Sequence, residues 1–168
     1  MKVLVATASK HGATTGLGEA VGAALAETGL DVTTLAADEV GSVAAYDAVV
    51  IGSGIYAGRW LEPAKRLIAR EEATLCAKPV WLFSSGPMGD PPVPAGDPAD
   101  AATMIELSGA RGHRTFAGML DRKGLGFAEK AIVAMVKAPD GDFRPWADMR
   151  AWAAEIAAGL ARVGEPVG

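Results

Sequence analysis

Cysteine is almost missing from this chain of 168 residues. Cys76 stands alone, which excludes an internal disulfide framework and a cysteine-based metal site, and a lone cysteine of this kind reads as a small buried hydrophobe. Long apolar runs are missing too. The opening run, Val3 to Ala6, is far shorter than the apolar region of a signal peptide, and no stretch approaches the roughly 20 apolar residues that span a bilayer. A soluble, cytoplasmic protein is expected. A basic balance is missing as well: the formal net charge is a mild −4, whereas a nucleic-acid-binding surface is basic. Internal repeats and low-complexity linkers are absent, so the length predicts one compact domain over residues 1–168. What the chain does have is apolar residues, half of the total, and 21 glycines, a supply suited to buried strands and tight turns.

The most telling segment is Thr7-Ala8-Ser9-Lys10-His11-Gly12-Ala13-Thr14. It follows the apolar run and precedes a helical stripe of Leu17, Val21 and Leu25. A hydroxyl-rich turn between a first strand and a first helix directs backbone N–H groups, hydroxyls and the positive end of the helix dipole at one spot, which suits a phosphate. The loop matches neither the dinucleotide pattern G-x-G-x-x-G nor the G-K-[ST] ending of a triphosphate loop. What remains is a cradle for a phosphate monoester such as that of flavin mononucleotide (FMN). The competing reading is an N-capping cluster in which Thr14 or Thr15 merely starts the helix.

Downstream, strands and helices alternate. Leu30–Leu35 reads as a second strand and Ala48–Gly52 as a third, apolar enough to be covered on both faces. A helix is predicted from about Trp60 to Leu75 with Pro63 in its first turn, its stripe facing inward while Arg66, Arg70 and Glu71 are solvated. Lys78–Ser85 gives the fourth strand. Asp97-Pro98 reads as a helix start, with Asp97 capping and the helix running to Ser108 before Gly109. His113–Leu120 is the fifth strand, and a last helix from about Pro145 to Leu160 is expected to bury Trp146, Met149, Trp152, Ala153 and Ile156. Alternation of this kind implies an α/β sandwich: a parallel sheet with helices on both faces.

The spacing Ser9-x-x-Gly12-x-Thr14 before a helix resembles the phosphate loop of the flavodoxin-like family. That family pattern carries an aromatic residue where Thr7 stands and an alanine where Gly18 stands. The resemblance implies a flavodoxin-like three-layer fold with five parallel strands in the order 2-1-3-4-5. In such sheets ligands bind beyond the carboxyl ends of the strands where the order reverses; flavodoxin with FMN is the standing example of that rule. Three loops would then form the site. Thr7, Ser9, Lys10, His11, Gly12, Ala13 and Thr14 would surround the phosphate. Ser53, Gly54, Ile55, Tyr56, Ala57 and Gly58 would flank the ring, with Tyr56 or Trp60 as a stacking face or, alternatively, as ordinary packing at a helix start. Ser84, Ser85, Gly86 and Pro87 would meet the ring's polar edge. No side chain need act as acid or base, because the cofactor carries the chemistry.

Electron-carrier flavodoxins resemble one another in surrounding the flavin with acidic residues, which lowers its potential. Here Lys10, His11 and Arg59 sit in the loops and only Asp90 lies at the margin, so the composition leans toward an enzyme over a low-potential shuttle. Between the fifth strand and the last helix lies an insertion, Asp121 to Arg144, whose middle, Leu125 to Val136, reads as an apolar helix. Lys123, Lys130 and Lys137 recur every seven residues along it. Such a helix can lie in a membrane interface through residues 122–137, contact a partner, roof a pocket, or pack on the core. The layout is similar to the menaquinone-dependent protoporphyrinogen oxidase branch of the family.

These features predict an FMN-dependent oxidoreductase passing electrons or hydride between a reduced donor, such as a redox partner protein, and a quinone-like acceptor, with protoporphyrinogen oxidation as the specific case. A flavodoxin-type electron carrier is one alternative. The same fold using the deazaflavin F420, with Lys10 and His11 meeting its extra negative charge, is another.

Overall fold

The computed structural model describes residues 1–86, 96–120, 126–135 and 141–163. Apolar β-branched residues and leucine build β1 (Lys2–Ala8), whose interior is wholly buried. Gly12 precedes α1 (Ala13–Ala26), which buries Leu17, Val21 and Leu25 against the sheet. Burial of each of these three contributes about 2 kcal/mol. β2 (Asp31–Ala36) is the half-exposed edge strand, and β3 (Ala48–Tyr56) is buried over its first six residues. β4 (Arg59–Trp60) folds back on β3 before α2 (Glu62–Cys76). β5 (Val80–Ser85), α3 (Ala101–Ser108) and β6 (Gly112–Phe116) follow. A two-stranded ribbon of β7 (Met119–Leu120) and β8 (Gly141–Asp142) brackets α4 (Phe127–Met135), and α5 (Trp146–Val163) closes the chain.

The long strands are parallel and run β2-β1-β3-β5-β6, with the short β4 antiparallel to β3 off that path. Once β4 is counted, this is the expected order 2-1-3-4-5. Helices cover both faces. Leu17, Val21 and Leu25 of α1 join Met149, Trp152 and Ile156 of α5 on one face; Leu67, Ile68 and Leu75 of α2 join Met104 of α3 on the other.

Several local expectations are corrected. The segment after the third strand is a hairpin instead of an open loop, and Trp60 lies in it, ahead of the helix. The third helix starts at Ala101, after Asp100, so Asp97 does not cap it; the Asp97 carboxylate instead accepts the Thr115 hydroxyl at 2.6 Å. The fifth strand stops at Phe116, and Met119–Leu120 turn away to pair with Gly141–Asp142. Glu71 is not solvated: it receives the Val43 amide and sits beside Ser42. Cys76 is exposed at a helix end, and Trp146 is exposed, with the Arg144 guanidinium 4.5 Å over its ring. In α4, Phe127 and Met135 are exposed at 93% and 76%, and Ala128, Lys130, Ala131 and Ala134 are exposed between them. This helix therefore shows solvent an apolar face edged by Lys130. Leu125 and Val136, the expected ends of that helix, lie outside the described residues, as do Lys123 and Lys137.

Candidate functional site

The parallel register brings three strand ends level. Ala8 of β1 pairs with Ser53 of β3, and Gly54 pairs with Ser85 of β5. The loops leaving these ends therefore meet at one edge of the sheet, on either side of the point where the strand order reverses.

Gly12 stands at the α1 N-terminus in the left-handed region, φ 81°, with nothing near the direction a Cβ would take. Among the described residues no side chain caps this helix, and its first turn carries no acid. The capping role expected as the alternative for Thr14 or Thr15 is thus not the one the structure shows. The first N–H groups of a helix have no intrahelical partner, so an uncapped N-terminus offers donors and a positive partial charge to an anion. Lys10 and His11 are exposed beside it, Ser9 and Ala13 are half-buried, and Thr7 and Thr14 are buried at 3% each.

The other two loops close against this one. A Cβ on Gly54 would lie 3.1 Å from the Thr14 hydroxyl, so the absent side chain lets β3 approach the start of α1. The Lys10 ammonium sits 4.1 Å from the centre of the Tyr56 ring, a cation–π contact across the cleft. On the far side, a Cβ on Gly86 would come within 2.7 Å of Ile55, so the loop after β5 rests on the β3 hairpin. The hairpin turns through Ala57 (φ 50°) and Gly58 (φ 75°), both positive as a type I′ turn requires. Pro87 lies outside the described residues.

Ser53 and Ser84 face inward. Ser53 Oγ donates to the Gly54 carbonyl and accepts the Leu61 amide at 2.9 Å, fixing the return of the chain into α2. Ser84 Oγ accepts the Trp60 indole N–H at 2.8 Å and lies 2.8 Å from His113 Nε2. Trp60 is 2% exposed, so it is a packing residue and offers no face for stacking. Its backbone amide is held by both oxygens of the buried Asp100 carboxylate, 3.0 and 3.2 Å away, and Lys65 stands 3.8 Å from that carboxylate. Asp100 and His113 carry no motif that sequence reading could use; their partners lie 40 and 29 residues away. Burial holds His113 below the usual histidine range, and Asp97 acts weakly in the opposite sense.

A further basic group comes from the insertion. Arg144 pairs with Asp142 through Nε at 2.8 Å and Nη2 at 2.6 Å, while Nη1 occupies the space a side chain on Gly16 would need. This pairing holds the Asp142 carboxyl below its ordinary range and raises Arg144. The ribbon is thereby docked on the first turns of α1. Among the described residues no cluster of three or more His, Cys, Asp or Glu is placed to hold a metal, and no helix is long and apolar enough to cross a membrane.

A sequence profile described as flavodoxin domain matches residues 4–144, most of the chain. The chain belongs to the flavodoxin domain family. Solved structures agree with this fold. A flavodoxin from the domain Archaea superposes with a TM-score of 0.64 at 17% identity, covering 96% of this chain and 99% of its own. A point mutant of flavodoxin from Pseudomonas aeruginosa gives 0.64 at 18%, covering 96% of this chain and 99% of its own. The rubredoxin oxygen:oxidoreductase from the anaerobe Desulfovibrio gigas gives 0.66 at 12%, covering 98% of this chain but 37% of the larger protein. No curated protein sequence matches. In this flavodoxin domain, the loops after β1, β3 and β5 are the ones brought together at the reversal of strand order.

Proposed function

We propose that this flavodoxin domain binds FMN and passes electrons or hydride between a reduced donor and a quinone-like acceptor. The carrying observation is the closure of three loops on one cleft: Thr14 against Gly54, Lys10 over Tyr56, and Ile55 against Gly86, at the uncapped N-terminus of α1. The donor set fits a phosphate monoester. The N–H groups of the first turn of α1, the Ser9 hydroxyl and Lys10 would hold it, with Gly12 leaving the approach open. Gly54, Tyr56 and Ser85–Gly86 would flank the ring, while Ser53 and Ser84, fully buried and with their hydroxyls engaged inside, would support these loops from behind. When bound, the flavin supplies redox chemistry; the protein binds it, orients it and shields it.

Among the described residues Lys10, His11 and Arg59 are exposed on the loops around the cleft, and this basic composition supports an enzyme over a very low-potential carrier. Protoporphyrinogen oxidation is the specific reaction favoured by the layout, in which a ribbon displays α4 between β6 and α5. The exposed face of Phe127, Ala131 and Met135 supports contact of residues 122–137 with a redox partner or a membrane surface.

Titration of the purified protein with FMN, riboflavin and F420, followed by flavin fluorescence and absorption, tests this reading. The expected result is tight FMN binding with riboflavin at least tenfold weaker, about 1.4 kcal/mol for the phosphate. Preference for F420 keeps the cleft and replaces the chemistry by obligate hydride transfer. Binding of none of the three overturns the cofactor assignment.

A further inference from the structure

Behind the cleft, three strands are joined by a chain of hydrogen bonds whose donors and acceptors can be assigned. The Trp60 indole N–H can only donate, so Ser84 Oγ accepts it. The Ser84 hydroxyl proton then has one acceptor among the described residues, His113 Nε2 at 2.8 Å. His113 must accordingly be neutral with its proton on Nδ1, which faces Asp97 Oδ1 at 3.8 Å. The His113 side chain is only 6% exposed, so this arrangement is not exchanged freely for water.

The chain links the parts of the site that must stay in register. Trp60 belongs to the hairpin that carries Ile55 and Tyr56, because Ile55 pairs with Trp60 and Tyr56 with Arg59. Ser84 immediately precedes Ser85 and Gly86, and Gly86 rests on Ile55 while its amide donates to the Phe116 carbonyl of β6. His113 lies on β6 itself, on the face it shares with Thr115, whereas Arg114 points to the other face and Glu155 of α5.

We propose that His113 is a positioning residue for the cleft: neutral, it holds the β3–β4 hairpin and the loop after β5 at the spacing a flat ligand needs, and protonated, it releases them. A proton on Nε2 would face the Ser84 hydroxyl proton, leaving a buried O–H without an acceptor, which is costly. Among the described residues the charged groups around His113 are few. Asp97, 63% exposed, approaches from the segment before α3; Asp100, Lys65 and Glu62 form a separate cluster on the far side of Trp60. Asp97 favours the protonated ring and burial opposes it more strongly, so the release occurs below the ordinary histidine range. The ligand part of this proposal rests on the flavin assignment; the strut itself does not.

Two readouts separate them. In the apoprotein, the indole Nε1–H resonance of Trp60, assigned by its loss in Trp60→Phe, should shift between pH 8 and pH 5 with a single pKa below 6.5, and should be flat in His113→Gln, whose amide can accept from Ser84 without titrating. FMN affinity should fall across the same range in both proteins, because the FMN phosphate itself gains a proton at about pH 6, and the fall should be at least about threefold larger in the wild type than in His113→Gln. Should His113→Gln not fold, Ser84→Ala cuts the same link and its Trp60 resonance must be flat. A wild-type Trp60 resonance that does not titrate, or one that titrates equally in these variants, overturns the strut. A titrating Trp60 with the same fall in FMN affinity in the wild type and His113→Gln overturns its role at the cleft. No FMN binding at any pH overturns the flavin assignment and the ligand part with it, and leaves the resonance to decide the strut.

Discussion

The Cγ2 methyl of Thr7 fills the space into which a side chain on Gly18 would project, 2.3 Å from the position of its Cβ. The flavodoxin-like pattern has an aromatic residue and an alanine at these two places, so both departures of this chain are to smaller residues, and here the Thr7 methyl takes up the room left beside Gly18.

That contact predicts a change of sign. Gly18→Ala removes a mid-helix glycine, worth about 1 kcal/mol in its favour, but overpacks a buried site against Thr7, costing about 1–3 kcal/mol. The single substitution should destabilise. In a Thr7→Ser background, which lacks Cγ2, the same Gly18→Ala should stabilise by about 1 kcal/mol. Urea unfolding of the four proteins in the cycle checks this, and additive effects would refute the coupling.

Gly52 is more tightly confined. A Cβ there would lie 2.0 Å from Phe83 Cζ, and that ring is pinned edge-on by Phe116 and Trp152 at centroid distances of 6.2 and 5.9 Å. Gly52→Ala should therefore cost about 3 kcal/mol, seen as a lower urea midpoint with an unchanged slope. A loss under about 0.5 kcal/mol would mean that the aromatic cluster yields easily.

The frame of this fold was legible because its signals are local. The run Val3–Ala6 followed by the stripe Leu17, Val21 and Leu25 specifies a buried strand and its helix within one stretch of chain. The β3–β4 hairpin was not legible, since its turn is Ala57-Gly58, without the Asn-Gly or Asp-Gly pair that marks a type I′ turn. Asp97-Pro98 is a good helix start by itself, yet the Thr115 hydroxyl takes the Asp97 carboxylate, and the helix begins only past Asp100. The inward hydroxyl of Ser84 is met by His113, 29 residues away, and Trp60 is held by Asp100, 40 residues away. Such pairings are set by the sheet order and have no local pattern.

The hairpin turn offers a stabilising change. Ala57 holds φ 50°, a conformation that costs a non-glycine residue about 1 kcal/mol and that asparagine tolerates better. Ala57→Asn should stabilise by about 0.5–1 kcal/mol and raise Tm by about 1–4 °C for a chain of this size. Calorimetry decides, and an unchanged or lower Tm would show that the turn carries no such strain.

Stability should also depend on His113. Its native pKa lies below the ordinary 6.5, so the unfolded chain binds its proton first as pH falls. The contribution is therefore complete above about pH 6.5 and is lost progressively as pH drops toward the native pKa, below which it levels off. Urea unfolding at pH 7.5, 6.5 and 5.5 should give falling stability in the wild type and a shallower fall in His113→Gln. Parallel pH profiles would assign the loss to other groups.

The Lys10 ammonium spans two loops, standing beside the uncapped N-terminus of α1 and 4.1 Å from the Tyr56 ring centre. Its charge and its packing can be told apart. If the charge serves a phosphate, Lys10→Ala should raise the Kd for FMN about five- to tenfold at low salt, roughly 1 kcal/mol, and flatten the salt dependence of binding, because the screened partner is gone. Lys10→Arg should retain both the affinity and the salt dependence. Riboflavin, which has no phosphate, should bind the wild type and Lys10→Ala within about twofold of each other. If the lysine acts instead by holding Tyr56, a contact worth about 0.5–1 kcal/mol at an exposed site, Lys10→Ala should weaken FMN and riboflavin alike. Equal losses for the two ligands would thus move Lys10 from the phosphate to the ring side of the cleft.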